Sequence, residues 1–183
     1  LTKKFPGVVA LDGVDIEARA GEIHGICGEN GAGKSTLIKM LTGAHTPDSG
    51  TIEFDGVTYT SLDPRRAMGI GIGCIYQELN LIPHLSVAEN IGIVPRLLGW
   101  HSGRIDARVD ELLALAGLDP AKFRHRLPDQ LSGGQKQRIG VLRALAADPP
   151  VVLMDEPFGA LDPITRDVLQ SELKELNKSL RKT

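Results

Sequence analysis

The stretch Gly28-Glu29-Asn30-Gly31-Ala32-Gly33-Lys34-Ser35 constrains this 183-residue chain more than any other. It matches G-x-x-x-x-G-K-[ST], set between an apolar run, EIHGIC at 22–27, and the helix-like TLIKMLTG that starts at Thr36. Glycines let the backbone curl so that successive N–H groups and a helix N-terminus face an anion. Lys34 adds a mobile positive charge and Ser35 a hydroxyl for Mg2+. Such a loop is a triphosphate cradle. The plainer alternative is a glycine-rich strand-to-helix turn with an incidental lysine, but the strand before and the helix after both favour the cradle. The motif says little about the reaction that follows.

Short apolar or β-branched runs recur at 22–27, 51–54 (TIEF), 72–76 (IGCIY) and 151–155 (VVLMD). Their alternation with helical patterns predicts an α/β fold with a parallel sheet. From about Leu81 to Ala147 the pattern turns helical: Val109, Leu112, Leu113 and Ala116 share one face of the stretch Asp106 to Gly117, before a glycine stop. A helical insert into one core is expected there. A last helix is expected from Asp162 as cap, with Pro163 in the first turn and Ile164, Val168, Leu173, Leu176 and Leu180 as its apolar stripe.

Composition narrows the function classes. A formal net charge of -2 gives no electrostatic argument for nucleic acid. No run approaches the roughly 18 to 20 apolar residues that span a bilayer, and the first residues lack the apolar segment of a secretory signal, so a cytoplasmic chain is expected. Cys27 and Cys74 are too few for a disulfide framework or a zinc knuckle, which fits a reducing compartment.

Two further motifs carry chemistry. VVLMDEP, Val151 to Pro157, is an apolar strand ending in two carboxylates. A strand buried on both faces delivers Asp155 to the carboxyl edge of the sheet, where it holds Mg2+ through water, and Glu156 then polarises the attacking water as general base. Alone, such a strand end is ordinarily just solvated; the cradle earlier in the chain reverses that weighing. Leu131-Ser132-Gly133-Gly134-Gln135 has capping-box spacing and by itself reads as a well-capped helix. Two glycines in a first turn, however, cost helix stability while baring N–H groups at the positive end of a helix dipole, which suits an anion site.

GENGAGKST, LSGGQ, LMDEP and ALD, in this order, resemble the ATP-binding cassette of ABC transporters over essentially the whole chain. LSGGQ is the most specific element. The resemblance implies a P-loop NTPase core with a parallel sheet, an antiparallel β edge and a helical insert subdomain. The core covers about 1–80 and 148–183, the insert about 81–147. It implies ATP and Mg2+ as ligands, with residues Gly28 to Thr36 (Thr36 closing the cradle) on the phosphates and Phe5 stacked on adenine. Gln77 in IYQELN matches the glutamine that touches Mg2+ and the attacking water and links core to insert. With Lys34 and Glu156 it makes the catalytic set, and Ser35, Gln77 and Asp155 make the metal set. In such cassettes two copies pair head to tail, so Ser132, Gly133, Gly134 and Gln135 would close on the ATP of the partner. Asp162 would lie at the dimer seam, serve as the helix cap, or both. Transmembrane permease subunits, and indirectly a solute-binding protein, are the implied partners, at the cytoplasmic face of the membrane. Nucleic acid is not.

Resemblance also sets expectations that this sequence does not meet. The cassette's switch histidine lies on a further strand, and none of His24, His45, His84, His101 and His125 stands at that place before Thr183. The strand that precedes the adenine aromatic is missing too, so a domain truncated at both ends is expected. The segments from FPGVVALDG to TPDSG and QELNLIPHLSVAENI resemble ATPases of monosaccharide importers of the ribose or xylose type. VPRLLGW, LPDQLSGG and LRALAADPPVVLMDEPFGALDPITR resemble those of glycine betaine and osmoprotectant importers, with the change between Ala88 and Val94. The competing functions are a nucleotide-gated dimerisation module with little turnover and a non-transport ATPase of the same superfamily. No extended heptad pattern between Lys34 and Ser132 supports the coiled coil that a chromosome-maintenance ATPase would carry.

Overall fold

Turn chemistry sets the first half of the fold. A computed structural model describes residues 1–76 and 80–156. Pro6 and Gly7, the latter at φ 78°, join strand β1 (Lys3–Phe5) to antiparallel β2 (Val8–Leu11). Asp55 and Gly56, both at positive φ, join β3 (Ile52–Phe54) to antiparallel β4 (Val57–Tyr59). An Asp-Gly pair between two strands is the sequence signal for that hairpin, because both central residues of the turn need positive φ. Helix α1 (Lys34–Leu41) lies between the hairpins and buries Leu37, Ile38 and Met40. Leu37 and Met40 pack with Leu11 of β2.

Helix α2 (Pro64–Ile70) starts on Asp63, whose carboxylate accepts the Arg66 N–H at 2.8 Å, and on a proline at its first position. Gly71, at φ 96°, turns the chain into β5 (Ile72–Ile75). β5 pairs in parallel with β6 (Val151–Met154), Ile72 against Val151 through Ile75 against Met154, as the alternating pattern requires. Between these strands run α3 (Val87–Leu97), α4 (Ser102–Leu115), the short α5 (Pro120–Phe123), a 3-10 turn at Pro128–Gln130 and α6 (Gly133–Leu145). Their apolar faces form the largest cluster of the described residues, from Leu81 to Ala146, centred on the solvent-excluded Val87, Ile91, Leu112, Leu113 and Ile139. The four positions predicted to share a face of α4 are all buried there, and α4 begins earlier than the pattern suggested, at Ser102.

One expected strand is absent. EIHGIC at 22–27 carries no strand hydrogen bonding, every residue from 15 to 32 is exposed, and Ile23 stands at 80% exposure. An apolar run becomes a strand only where its backbone finds a partner, and among the described residues neither β5 nor β6 pairs with 22–27. The expected last helix from Asp162 lies outside the described residues.

Candidate functional site

The loop before α1 is shaped by its glycines. Gly33 caps α1 at φ 91°, and a Cβ there would meet the Ala10 carbonyl oxygen at 2.3 Å and Leu11 at 2.8 Å, so the loop end backs directly onto β2. Only glycine fits both the conformation and the approach. Gly31 is at φ 84°, and the Ala32 N–H donates to the Glu29 carbonyl at 3.1 Å, which closes the turn. The Lys34 ammonium folds back over the loop, donating to the carbonyls of Gly28 at 2.7 Å and Glu29 at 3.0 Å. No acidic residue stands in the first turn of α1 to oppose an anion. The cradle residues from Gly28 to Ala32 are exposed, and Gly33, Lys34, Ser35 and Thr36 are partly buried.

β6 brings its carboxylate to this loop. The Ser35 hydroxyl donates to Asp155 Oδ1 at 2.9 Å, across 120 residues of sequence. Asp155 is 7% exposed, and its N–H donates to the Ile75 carbonyl at 2.9 Å, extending the β5–β6 ladder by one bond. A hydroxyl and a carboxylate in contact suit a hard divalent cation that keeps the rest of its shell for water and phosphate oxygens. No group of three or more His, Cys, Asp or Glu side chains capable of holding a metal occurs among the described residues. Glu156 follows, exposed, at φ 46°. Left-handed backbone at a non-glycine residue costs energy and turns the side chain out of the strand's alternation. Cys74 of β5 lies behind this site. Burial pushes its thiol up to about 12, with the nearby Asp155 charge adding to the shift, so it stays a neutral thiol. Burial likewise raises Tyr76, which hydrogen-bonds Thr42 beyond the end of α1.

The capping box predicted at the signature is formed. Ser132 Oγ accepts the Gln135 N–H at 3.3 Å, and Gln135 Oε1 accepts the Ser132 N–H at 3.0 Å. Accepting that bond leaves the Ser132 hydroxyl its proton, so cap and anion donor are compatible roles. Gly133 and Gly134 begin the 13-residue α6 with no acidic side chain in the first turn. Phe5 ends β1, the hairpin whose second strand backs Gly33. Its ring meets His45 edge-on at 5.5 Å, and the Lys3 ammonium lies 5.6 Å from its centroid. The structure therefore brings Lys34, Ser35 and Asp155 together with Glu156 following, and places Phe5 on the adjoining hairpin. Ser132 to Gln135 sit at a separate helix end. Gln77 and Asp162 lie outside the described residues.

Sequence reasoning passed over two side chains that hold the backbone of residues 80–86. Asn90, 0% exposed, accepts the Ile82 N–H at 2.8 Å and donates to the carbonyls of Ile82, Leu85 and Ser86 at 3.2, 2.9 and 3.0 Å. Arg143 of α6 donates to the Asn80 carbonyl at 3.1 Å. The legible signal for Asn90 was an amide on the apolar face of α3, between Val87 and Ile91.

A phosphate cradle feeding a helix, a carboxylate delivered beside it by a parallel strand, and helices inserted between the two define a nucleotide-binding cassette of the P-loop class. The family model for ABC transporters matches residues 11–159, and the chain belongs to that family. It is 44% identical over 181 residues to the osmoprotectant import ATP-binding protein OsmV of Salmonella typhimurium, covering 99% of this chain and 47% of that protein. It is 47% identical over 186 residues to the glycine betaine uptake system ATP-binding protein YehX of Escherichia coli, covering 100% and 59%. The chain thus spans about half the length of the curated relatives it matches. Among solved structures, the ATP-binding cassette MJ0796, a dimer in a post-hydrolysis state bound to ADP and phosphate, superposes with a TM-score of 0.82 at 34% identity, covering 100% of this chain and 82% of that one. The ABC ATPase fold, with its parallel strands, antiparallel hairpins and helices, is the fold of this chain. The two relatives align along the whole chain and not with its second half alone, which gives no support to a separate monosaccharide-type first half.

Proposed function

We propose that this chain is the ATP-binding and ATP-hydrolysing part of a bacterial importer for betaine-like osmoprotectants. The contact between Ser35 and Asp155 at 2.9 Å carries the reading, because it joins the cradle to the strand-end carboxylate where a nucleotide-bound cation would sit. In this reading Phe5 stacks on adenine, and the backbone N–H groups from Gly28 to Thr36 hold the phosphates. Lys34 leaves the carbonyls of Gly28 and Glu29 for the γ-phosphate, exchanging neutral acceptors for a charged one. Ser35, Asp155 and Gln77 fit Mg2+, being hard oxygen donors that leave room in an octahedral shell. Bound there, Mg2+ would neutralise charge on the transferring phosphoryl group. Glu156 accepts the proton of the attacking water, and Gln77 orients that water.

Ser132, Gly133, Gly134 and Gln135 then meet the γ-phosphate of a second copy, with Asp162 at the seam. ATP, gripped by both, favours the closed dimer by its difference in affinity between the two states. The division into a core of about 1–80 and 148–183 and an insert of about 81–147 gives the permease subunits an insert to dock on. A solute-binding protein takes part only through them. The location is the cytoplasmic face of the membrane; no described helix is long and apolar enough to cross it. The solute class rests on the names of OsmV and YehX. Calorimetric titration with MgATP, beside phosphate release, tests the reading on the full-length protein. Lys34→Ala is expected to bind about tenfold or more weakly, the loss of one charge-assisted bond. An unchanged titration would remove the cradle from the account.

A further inference from the structure

Phe5 is the last residue of β1, and its ring is held from outside its own hairpin. The segment that leaves α1 runs antiparallel beside β1. The Thr2 N–H donates to the Ser49 carbonyl at 3.0 Å, and the Asp48 N–H donates to the Thr2 carbonyl at 3.0 Å. Asp48 also accepts from the Lys3 ammonium at 2.9 Å and from the Lys4 N–H at 2.6 Å. His45 completes this edge. Its N–H donates at 2.9 Å to the carbonyl of Lys39 in the last turn of α1, and its half-buried imidazole meets the Phe5 ring at 5.5 Å between centroids and 69° between planes. That is the edge-to-face arrangement that aromatic pairs favour.

α1 opens with Lys34 and Ser35, so His45 ties the ring to the helix that carries the cradle. A ring at the end of a short two-stranded hairpin otherwise has little to fix its side-chain torsions. The Lys3 ammonium lies over the ring, 5.6 Å from its centroid, and Phe5 stays 38% exposed, which leaves ring surface open to a flat partner.

We propose that His45 is a positioning residue for the nucleotide base, holding the Phe5 ring at a fixed place relative to the cradle so that one nucleotide reaches both. The inference rests on the stacking of adenine on Phe5 proposed above. His45 follows the C-terminal end of α1 while Lys34 opens it, so the two ends of one helix serve the base and the phosphates. The imidazole acts through its ring. An aliphatic side chain of similar size fills the space without presenting an aromatic edge.

The test uses the full-length protein and its variants His45→Leu, His45→Phe and Phe5→Ala. Affinity for MgATP, affinity for magnesium tripolyphosphate, which has the phosphates without the base, and kcat and KM are measured on each. In His45→Leu, MgATP is expected to bind about three- to tenfold more weakly, the loss of one aromatic pair, with the change in KM rather than kcat and with tripolyphosphate affinity unchanged. His45→Phe restores an aromatic edge and should return MgATP affinity to within about twofold of the unsubstituted protein. Equal losses for MgATP and tripolyphosphate in His45→Leu would mean a structural effect on α1 and overturn the proposal. So would unaltered MgATP affinity in His45→Leu beside a weakened Phe5→Ala, or no recovery in His45→Phe. Unaltered MgATP affinity in Phe5→Ala would instead overturn the stacking itself, and the proposal with it.

Discussion

Asp48 shows how a single side chain anchors the hairpin behind the cradle. It accepts from the Lys3 ammonium at 2.9 Å and from the Lys4 N–H at 2.6 Å, and these bonds hold its carboxyl below the ordinary carboxylate range. A carboxyl with a lowered native pKa contributes stability that is present above its unfolded value, about 3.9, and is lost as pH falls through the native one. Asp48→Asn should therefore lower Tm at neutral pH and leave it unchanged at a pH below both values. Thermal denaturation at the two pH values checks this, and a constant difference would contradict it. At this scale the placement of side chains was legible where spacing carries meaning. Gly33, Lys34, Ser35 and Asp155 stand where the motifs put them, since each motif specifies both a residue and a backbone shape. Arg143 and Asn90 were not legible as a pair, because what they hold is backbone 63 and up to 8 positions away in contact that no local pattern encodes.

Single elements separate what periodicity determines from what a neighbour determines. α4 was legible because a 3.6-residue apolar stripe needs only one facing surface, and α3 and α6 supply it. Leu112, fully buried in that cluster, should cost about 2–5 kcal/mol when cut to alanine, measured by denaturant unfolding. Ser132→Ala removes one cap and should cost about 1 kcal/mol, while the equal loss of anion contact would appear only in the nucleotide-bound dimer. The strand expected at 22–27 shows the opposite case. Its apolar residues fit a sheet, yet a strand is defined by its partner, and nothing in EIHGIC names one. The antiparallel edge came from resemblance, although Asp55-Gly56 spelled out the β3–β4 turn in the sequence itself.

Across the whole molecule, the cradle and the signature turn belong to different layers of one chain. The parallel pair β5 and β6 holds Asp155 against Ser35, while the cluster from Leu81 to Ala146 holds the turn at Ser132. In the proposed reading a half-site of each kind on one chain is completed by a second copy, and this shared site is the central claim. Glu156→Gln keeps the shape and hydrogen bonding of the side chain but cannot take the proton, so the doubly gripped ATP should not turn over. Light scattering on this variant of the full-length protein, with and without MgATP, tests the claim most directly. The account predicts a monomer without nucleotide and a stable dimer with MgATP, abolished by adding Lys34→Ala. A variant that binds MgATP and remains monomeric would contradict it.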